Sequence, residues 1–188
     1  MRLRPLEWAD AGGTCFENSG ACVRLPHPGL KKAPVFLDGG RVFMSETYYL
    51  MGMIMDFHTS SKEDAYFLCS ATLSSGAGAP RNRHPNDQES FFVQKGVIEF
   101  TVGDETINAG PGQFVKVPRG EIHSFRNATD EEAEMLILNV PGSIHENVFR
   151  ICGTKLEAGS RDWPSPEPEL DMEWVARVCA DEGLEIVS

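Results

Sequence analysis

Residues 82–89 read N-R-H-P-N-D-Q-E, and the interpretation of the whole chain starts from this stretch. Asn82 and His84 are two positions apart, so on a β-strand their side chains point to the same face. The P-N-D at residues 85–87 has turn chemistry. We therefore expect a hairpin in which the chain reverses and Glu89, at the start of the returning strand, comes opposite His84.

A buried carboxylate at this place needs a positive partner. Glu89, Phe91 and Val93 share one face of the returning strand, and counting by twos finds no lysine or arginine on that face. If the face lies inside a barrel, an unpaired carboxylate there is costly, and a divalent cation would satisfy both Glu89 and His84.

A third candidate ligand lies in residues 112–127, G-Q-F-V-K-V-P-R-G-E-I-H-S-F-R-N. His123 and Phe125 share a face of a short strand that follows a P-R-G turn. Two histidines and one carboxylate form a facial triad that leaves open positions on a metal, and iron(II) is its commonest occupant. Zinc, nickel, manganese and cobalt are the alternatives.

The surrounding sequence predicts many short strands. Val97–Val102 alternates apolar and polar side chains before a Gly-Asp turn, and further strand patterns, with turn residues every eight to twelve positions, cover Thr47–Met55, Ala65–Leu73, Phe114–Val117, Ile122–Arg126 and Glu134–Val140. This spacing indicates an antiparallel sandwich or barrel, and the lack of a long helix argues against a parallel sheet.

At this point the sequence resembles the cupins. The first cupin motif, G-x5-H-x-H-x4-E-x6-G, reads Gly76, Asn82, His84, Glu89 and Gly96 here, and the second motif, G-x5-P-x-G-x2-H-x3-N, reads Gly112, Pro118, Gly120, His123 and Asn127. The resemblance covers about residues 45–150, and the overall pattern is most similar to single-domain, quercetin-dioxygenase-like cupins.

The resemblance implies an all-β fold, an antiparallel jelly-roll barrel with a metal inside. His84, Glu89 and His123 are then the metal ligands, and Glu89 is also the catalytic residue that accepts a substrate proton. One departure matters, because Asn82 replaces the first motif histidine. Asn82 either adds a weak amide ligand or only a hydrogen bond, and with Phe91 and Phe125 it is a candidate for the substrate pocket.

The whole chain, residues 1–188, reads as one cupin domain with appendages. Residues 1–44 form a Gly- and Pro-rich arm with short strands, and residues 151–188 form a Pro-rich connector and a helix. In that helix we expect Asp171 to be the N-cap, Gly183 to end it, and Met172, Val175 and Cys179 to share its apolar face. The remaining histidines, His27, His58 and His145, read as surface residues.

Composition excludes several classes of function. The formal net charge of −11 on 188 residues argues against nucleic-acid and anionic membrane partners, which need a basic surface. Five cysteines without a C-x-x-C pair, and no apolar run long enough for a signal peptide or a membrane span, favour reduced thiols in the cytoplasm. We also expect a homodimer, since the strand edges and apolar outer face of such a barrel are usually covered.

Three functions remain open. The first is a metal-dependent dioxygenase that acts on a small aromatic or enolic substrate. The second is a redox-neutral cyclase, dehydratase, decarboxylase or isomerase of a natural-product pathway, in which the metal is a Lewis acid. The third is a non-catalytic cupin that binds a small ligand.

Overall fold

The computed structural model describes residues 36–38, 41–43 and 45–187. Most of the predicted N-terminal arm, with His27, Cys15 and Cys22, lies outside these residues. Its described part is a pair of short antiparallel strands, β1 (Phe36–Asp38) and β2 (Arg41–Phe43). Among the described residues, no helix is both long and apolar enough to cross a membrane.

Two antiparallel sheets and two helices make up the rest of the described chain. In chain order the further elements are β3 (Glu46–Leu50), β4 (Met53–Phe57), β5 (Phe67–Leu73), β6 (Gly78–Arg83), β7 (Gln88–Lys95), β8 (Ile98–Val102), β9 (Glu105–Ala109), β10 (Phe114–Val117), β11 (His123–Asn127), β12 (Ala133–Val140), α1 (Ser143–Cys152), β13 (Thr154–Leu156), α2 (Met172–Glu182) and β14 (Glu185–Ile186). The larger sheet has the order β10-β7-β12-β5-β4-β3-β13, and the smaller has the order β14-β6-β11-β8-β9. The predicted antiparallel, mainly β fold is confirmed.

The predicted continuous strand over Thr47–Met55 is wrong. Leu50 pairs with Met53 across a tight turn, so this segment is the hairpin of β3 and β4. Met51 and Gly52 both have positive φ, 50° and 75°, as a type I′ turn requires. Met51 is therefore a turn residue, whereas Met53 and Met55 are buried in the core.

The hairpin predicted at residues 82–89 is also wrong. β6 belongs to the smaller sheet, next to β11 and β14, whereas β7 lies in the larger sheet between β10 and β12. Residues 84–87 therefore cross from one sheet to the other. His84 and Glu89 approach each other across the space between the sheets, and not as neighbours on paired strands.

One hydrophobic core joins the two sheets. Phe91 of β7, Phe100 of β8 and Met135 of β12 are all at most 1% exposed and belong to one cluster of buried side chains. In β12 every second residue is buried, which directs one face of the strand into this core. Each such large side chain contributes about 1.5–3 kcal/mol by leaving water.

The two helices lie at the end of the chain. α1 was not predicted, and it buries Ile144, Val148 and Phe149 against the hydrophobic core. The predicted C-terminal helix is confirmed as α2. The Asp171 side chain accepts hydrogen bonds from the first turn of α2, and Gly183 ends the helix at φ 93°.

Candidate metal centre

Three donor atoms from three parts of the chain converge in the protein interior. His84 follows β6, Glu89 is the second residue of β7, and His123 begins β11. The His123 Nε2 atom lies 2.9 Å from Glu89 Oε2 and 3.3 Å from His84 Nε2, and the third side of this triangle, from His84 Nε2 to Glu89 Oε2, is 3.4 Å. All three residues are at most 3% exposed.

In His84 and His123, the hydrogen bond made by Nδ1 fixes the direction in which Nε2 points. His84 Nδ1 lies 2.9 Å from the Asp87 carbonyl oxygen, and His123 Nδ1 lies 2.9 Å from the Glu121 carbonyl oxygen. A carbonyl only accepts hydrogen bonds, so each Nδ1 carries the hydrogen and donates it. In the neutral rings both Nε2 atoms therefore present lone pairs to each other and to the carboxylate.

This arrangement fits a metal ion. Three acceptors that face one another repel unless a cation lies between them. Donors held about 2.1 Å from one ion, at angles of about 90° to 109°, are roughly 3.0–3.4 Å apart, which is close to the sides of the observed triangle. A histidine whose second nitrogen donates to a backbone carbonyl is also the usual arrangement around protein metals.

The ionisation of Glu89 and His84 reflects their closeness. Burial alone would raise the pKa of Glu89, but the neighbouring rings of His145, His123 and His84 hold it well below its ordinary value. Burial opposes a charge on His84, and yet the Glu89 carboxylate raises the pKa of this imidazole. Glu89 is therefore a carboxylate in the folded protein, ready to bind a cation.

A fourth group, His145, was not predicted to belong to the site. The expectation that His145 is a surface residue is wrong, since it is 4% exposed. It is the third residue of α1, and its Nε2 atom lies 3.5 Å from Glu89 Oε1. One donor atom from each of His84, Glu89 and His145 lies within 4.8 Å of the others, which is another grouping suited to a metal.

Several buried polar atoms around these residues have no hydrogen-bond partner within the described part of the chain. They are Asn82 Oδ1, both carboxylate oxygens of Asp87, both amide atoms of Asn139, and His145 Nδ1. Asn139 pairs in register with Glu89, and Asp87 Oδ2 lies 3.6 Å from His145 Nδ1. Buried polar groups are normally satisfied, so this concentration favours a site that holds bound polar species.

Asn82 occupies the place of the missing motif histidine. It pairs in register with His123, and its amide nitrogen donates to the carbonyls of Pro80, at 3.0 Å, and His123, at 3.4 Å. Asn82 therefore braces the strand that carries a ligand, while its free Oδ1 remains beside the site.

An apolar cavity of about 290 Å³ opens next to the ligands. Asn82, Glu89 and His145 are the polar side chains on its wall, and Phe125 also lines it. Phe91, the other aromatic pocket candidate, is fully buried and packs against Phe100 and Phe125 as a core residue.

The two C-terminal elements close the outer side of this cavity. α2 contributes Met172, Val175, Ala176 and Cys179, and β14 contributes Ile186. Among the described cysteines, Cys69, Cys152 and Cys179 are free and buried, and burial raises the pKa of each thiol. Burial therefore favours the protonated thiols, which pack in the core.

The comparisons with known proteins agree with this architecture. Residues 70–139 match the family model of the cupin domain. The matched cupin segment contains His84, Glu89, His123 and Asn139, and it ends before α1. An uncharacterized protein of Streptomyces coelicolor, SCO3923, is 29% identical over 97 residues, which cover 47% of this chain and 92% of that protein.

Part of the chain also resembles solved structures of other proteins. A predicted oxalate decarboxylase of Thermotoga maritima is 18% identical, with a TM-score of 0.45, over 47% of this chain and 79% of its own. The polyketide cyclase RemF of Streptomyces resistomycificus is 20% identical, with a TM-score of 0.43, over 48% of this chain and 66% of its own.

Proposed function

We propose that this protein is a metal-dependent enzyme, a dioxygenase that acts on a small aromatic or enolic substrate. The observation that carries the proposal is the buried triangle of His84 Nε2, His123 Nε2 and Glu89 Oε2, with sides of 2.9–3.4 Å. When bound there, a divalent ion such as Fe(II) would supply a Lewis acid for a substrate oxygen and the redox chemistry that O2 needs.

The chain itself supplies a proton acceptor. Glu89 lines the cavity, and its Oε2 atom belongs to the donor triangle while Oε1 points toward His145 at 3.5 Å. A phenol or enol that enters the cavity must lose its hydroxyl proton to become electron-rich enough for oxidation. Glu89 Oε1 is the group placed to accept that proton, because it is ionised and lies beside the cavity. Since its low pKa makes it a weak base, the bound ion would also have to lower the pKa of the substrate hydroxyl.

The cavity wall favours this class of substrate. Leu50, Phe125 and Ile137 from the sheets, together with side chains of α1 and α2, give the cavity an almost wholly apolar surface. A flat aromatic or enolic molecule would bury its faces against this wall and direct a polar edge toward Glu89 and Asn82. The same wall keeps water away from reactive species, which an oxygenase needs.

Purified protein tests the proposal directly. The metal content of chelator-free protein is measured first, and oxygen uptake is then followed with catechol and with acetylacetone as the aromatic and enolic probes. We expect about one metal per chain and oxygen uptake with at least one probe, which stops when His84→Ala or His123→Ala is used. His58→Ala is the control, because His58 lies apart from the triangle and bonds to Ser70.

The alternatives give different results. Probe consumption that continues without O2 identifies the redox-neutral enzyme, with the metal as Lewis acid. Probe binding without conversion in either condition, together with unchanged binding by His84→Ala, identifies a ligand-binding protein. Either result overturns the dioxygenase.

A further inference from the structure

We propose that His145, carried by α1, is a fourth metal ligand that replaces the histidine missing at position 82. The inference rests on the proposed function, because it concerns the same metal site. It makes the donor set three imidazoles and one carboxylate, from His84, His123, His145 and Glu89.

The position of the His145 ring supports this assignment. The ring is almost perpendicular to that of His84, at 88°, with centroids 4.5 Å apart, and Nε2 faces Glu89 Oε1 at 3.5 Å. Imidazoles that share an ion keep their rings apart and direct one nitrogen each toward a common point. His84 and His123 show the same relationship, with centroids 4.9 Å apart at 86°.

The chain path explains why a helical residue reaches the site. Asn139 near the end of β12 pairs with Glu89, so the chain leaves the sheet directly beside that ligand. Gly142 then turns the backbone with φ 94°, and a Cβ there would lie 2.5 Å from the Cβ of Phe67. This close packing sets the first turn of α1, with His145 in it, beside Glu89 and His84.

The first turn of α1 is also anchored on its other side. The buried Glu146 carboxylate accepts hydrogen bonds from the Ser60 hydroxyl at 2.9 Å and from the Ser61 amide and hydroxyl, both at 2.6 Å. Arg150, one turn later, also donates to Glu146. His145 is therefore held in place by its neighbours and does not swing freely into solvent.

A histidine that binds a metal through one nitrogen usually donates its other N–H to an acceptor, and Asp87 is the residue placed to accept it from His145. Its carboxylate is 1% exposed, has no hydrogen-bond partner within the described residues, and lies 3.6 Å from His145 Nδ1. Its backbone carbonyl accepts from His84 Nδ1. Asp87 thus faces the Nδ1 atoms of both His84 and His145, so that their Nε2 atoms point toward the site. We therefore assign Asp87 as a positioning residue.

The charge of the site agrees with a divalent ion. Glu89 and Asp87 are both buried, and within the described residues their only ion-pair partners are histidines. Imidazoles bind a metal as neutral rings, so as ligands they would not offset the charge of these two carboxylates. A doubly charged cation on three imidazoles and Glu89 would balance both carboxylates.

Counting the imidazoles tests the assignment without any substrate. The protein is loaded with Cu(II), which binds nitrogen and oxygen sites tightly, and pulsed electron paramagnetic resonance gives the number of coordinated imidazoles. We expect three in the wild type, two in His145→Ala, and three in the controls Asn82→Ala and His58→Ala. The double variant Asn82→His with His145→Ala should regain three, because the imidazole returns to the motif position.

Affinity provides a second readout. Removing a residue that hydrogen-bonds to a metal ligand typically weakens metal binding by roughly 10- to 100-fold. Competition with a chelator should show that His145→Ala weakens Cu(II) binding by more than this, because it removes a ligand itself. Asp87→Asn should weaken binding by about tenfold and still keep three imidazoles, as a positioning residue requires. Circular dichroism reports whether each variant is folded.

The outcomes separate this inference from the proposed function. Two imidazoles in the wild type, or three in folded His145→Ala, overturn the role of His145 and leave the metal enzyme intact. Three imidazoles in the wild type without turnover of any probe support His145 and count against the dioxygenase. A wild type that binds no Cu(II) overturns both.

Discussion

His84 and His123 direct their Nε2 atoms at each other across 3.3 Å, while both Nδ1 atoms are held by backbone carbonyls. Neither ring can turn away without losing its hydrogen bond, so the two Nε2 atoms stay directed at each other. The two imidazoles are therefore preorganised to bind a cation.

Metal binding should stabilise the folded protein. Zn(II) at about 100 times its dissociation constant adds about 2.7 kcal/mol to the free energy of unfolding, which for a chain of this size raises Tm by roughly 5–10 °C. Differential scanning calorimetry with and without a chelator measures the shift. His84→Ala and His123→Ala should abolish it and His58→Ala should keep it, so equal shifts in all four proteins would refute a site at the triangle.

Filling the cavity should block substrate without disturbing metal. Ala176 of α2 lines the cavity, and Ala176→Phe places a ring in that space. We expect KM for the active probe to rise at least about tenfold, because the ring displaces apolar contacts of the substrate. The affinity for Cu(II) should stay unchanged. Ala180→Phe, on the exposed side of the same helix, is the matched control. An unchanged KM in Ala176→Phe would show that substrate binds elsewhere.

Gly142 should be intolerant of any side chain. Its φ of 94° and the approach of Phe67 and the Asn139 carbonyl leave no room for a Cβ. Gly142→Ala should therefore lower the free energy of unfolding by about 2–4 kcal/mol. Gly112→Ala is the control, because Gly112 has φ 83° with open space around it, and it should cost only about 1 kcal/mol. Urea denaturation measures both, and equal costs would contradict the crowding at Gly142.

Glu46 should stabilise the fold in a pH-dependent way. Burial opposes its charge, but hydrogen bonds from Lys155 and Arg150 outweigh burial and lower the pKa of the carboxyl below 4.5. The unfolded chain therefore binds more protons between the two pKa values, so this stabilisation is present at neutral pH and disappears as the pH falls below the ordinary value.

Comparing Glu46→Gln with the wild type in urea tests this effect. Because the side chain is about one-third exposed, we expect a loss of only about 0.5–1 kcal/mol at pH 7. The difference should shrink as the pH falls from the ordinary value of the carboxyl through its lowered pKa in the folded protein. Glu134→Gln, which removes a more exposed pair with Lys95, should change little at neutral or acid pH. A difference that persists in acid would mean that packing, and not charge, is responsible.

The homodimer remains a prediction, and the outer face of the larger sheet is its best candidate surface. Phe114 on the edge strand β10 is 59% exposed and pairs with Phe92, which is 38% exposed, and Leu136 continues the row on β12. Sedimentation equilibrium at micromolar concentration should give a dimer, and Phe114→Glu should give a monomer. Val97→Glu, at an exposed residue away from the row, should remain dimeric, and a monomeric wild type would contradict the prediction.

Much of the fold was predictable from local patterns. Alternation in β8 and β12, and the boundaries of α2, follow from side-chain periodicity and capping residues that act within a few positions. The turn at Met51-Gly52 was not predictable, because methionine seldom adopts positive φ and the long-range contacts of the β3–β4 hairpin hold it there. The crossing of residues 84–87 between sheets likewise depends on long-range pairing, which turn chemistry alone does not specify.

The sequence motifs predicted three of the site residues, His84, Glu89 and His123. They did not predict the fourth, His145, although the sequence does indicate the helix that carries it. Ile144, Val148, Phe149 and Cys152 follow helical spacing after a Pro-Gly, which is enough to predict α1. Nothing in that pattern places His145 beside Glu89. Its burial results from the chain leaving β12 next to β7, a relationship that only the assembled sheets define.

The matched cupin segment ends at residue 139, and α1 begins only at Ser143. A shortened protein that is cut at the family boundary would keep His84, Glu89 and His123 but lose His145 and the helical wall of the cavity. Anyone who transplants this domain into another scaffold should therefore carry the polypeptide through Ile186, or accept a pocket that is open on one side.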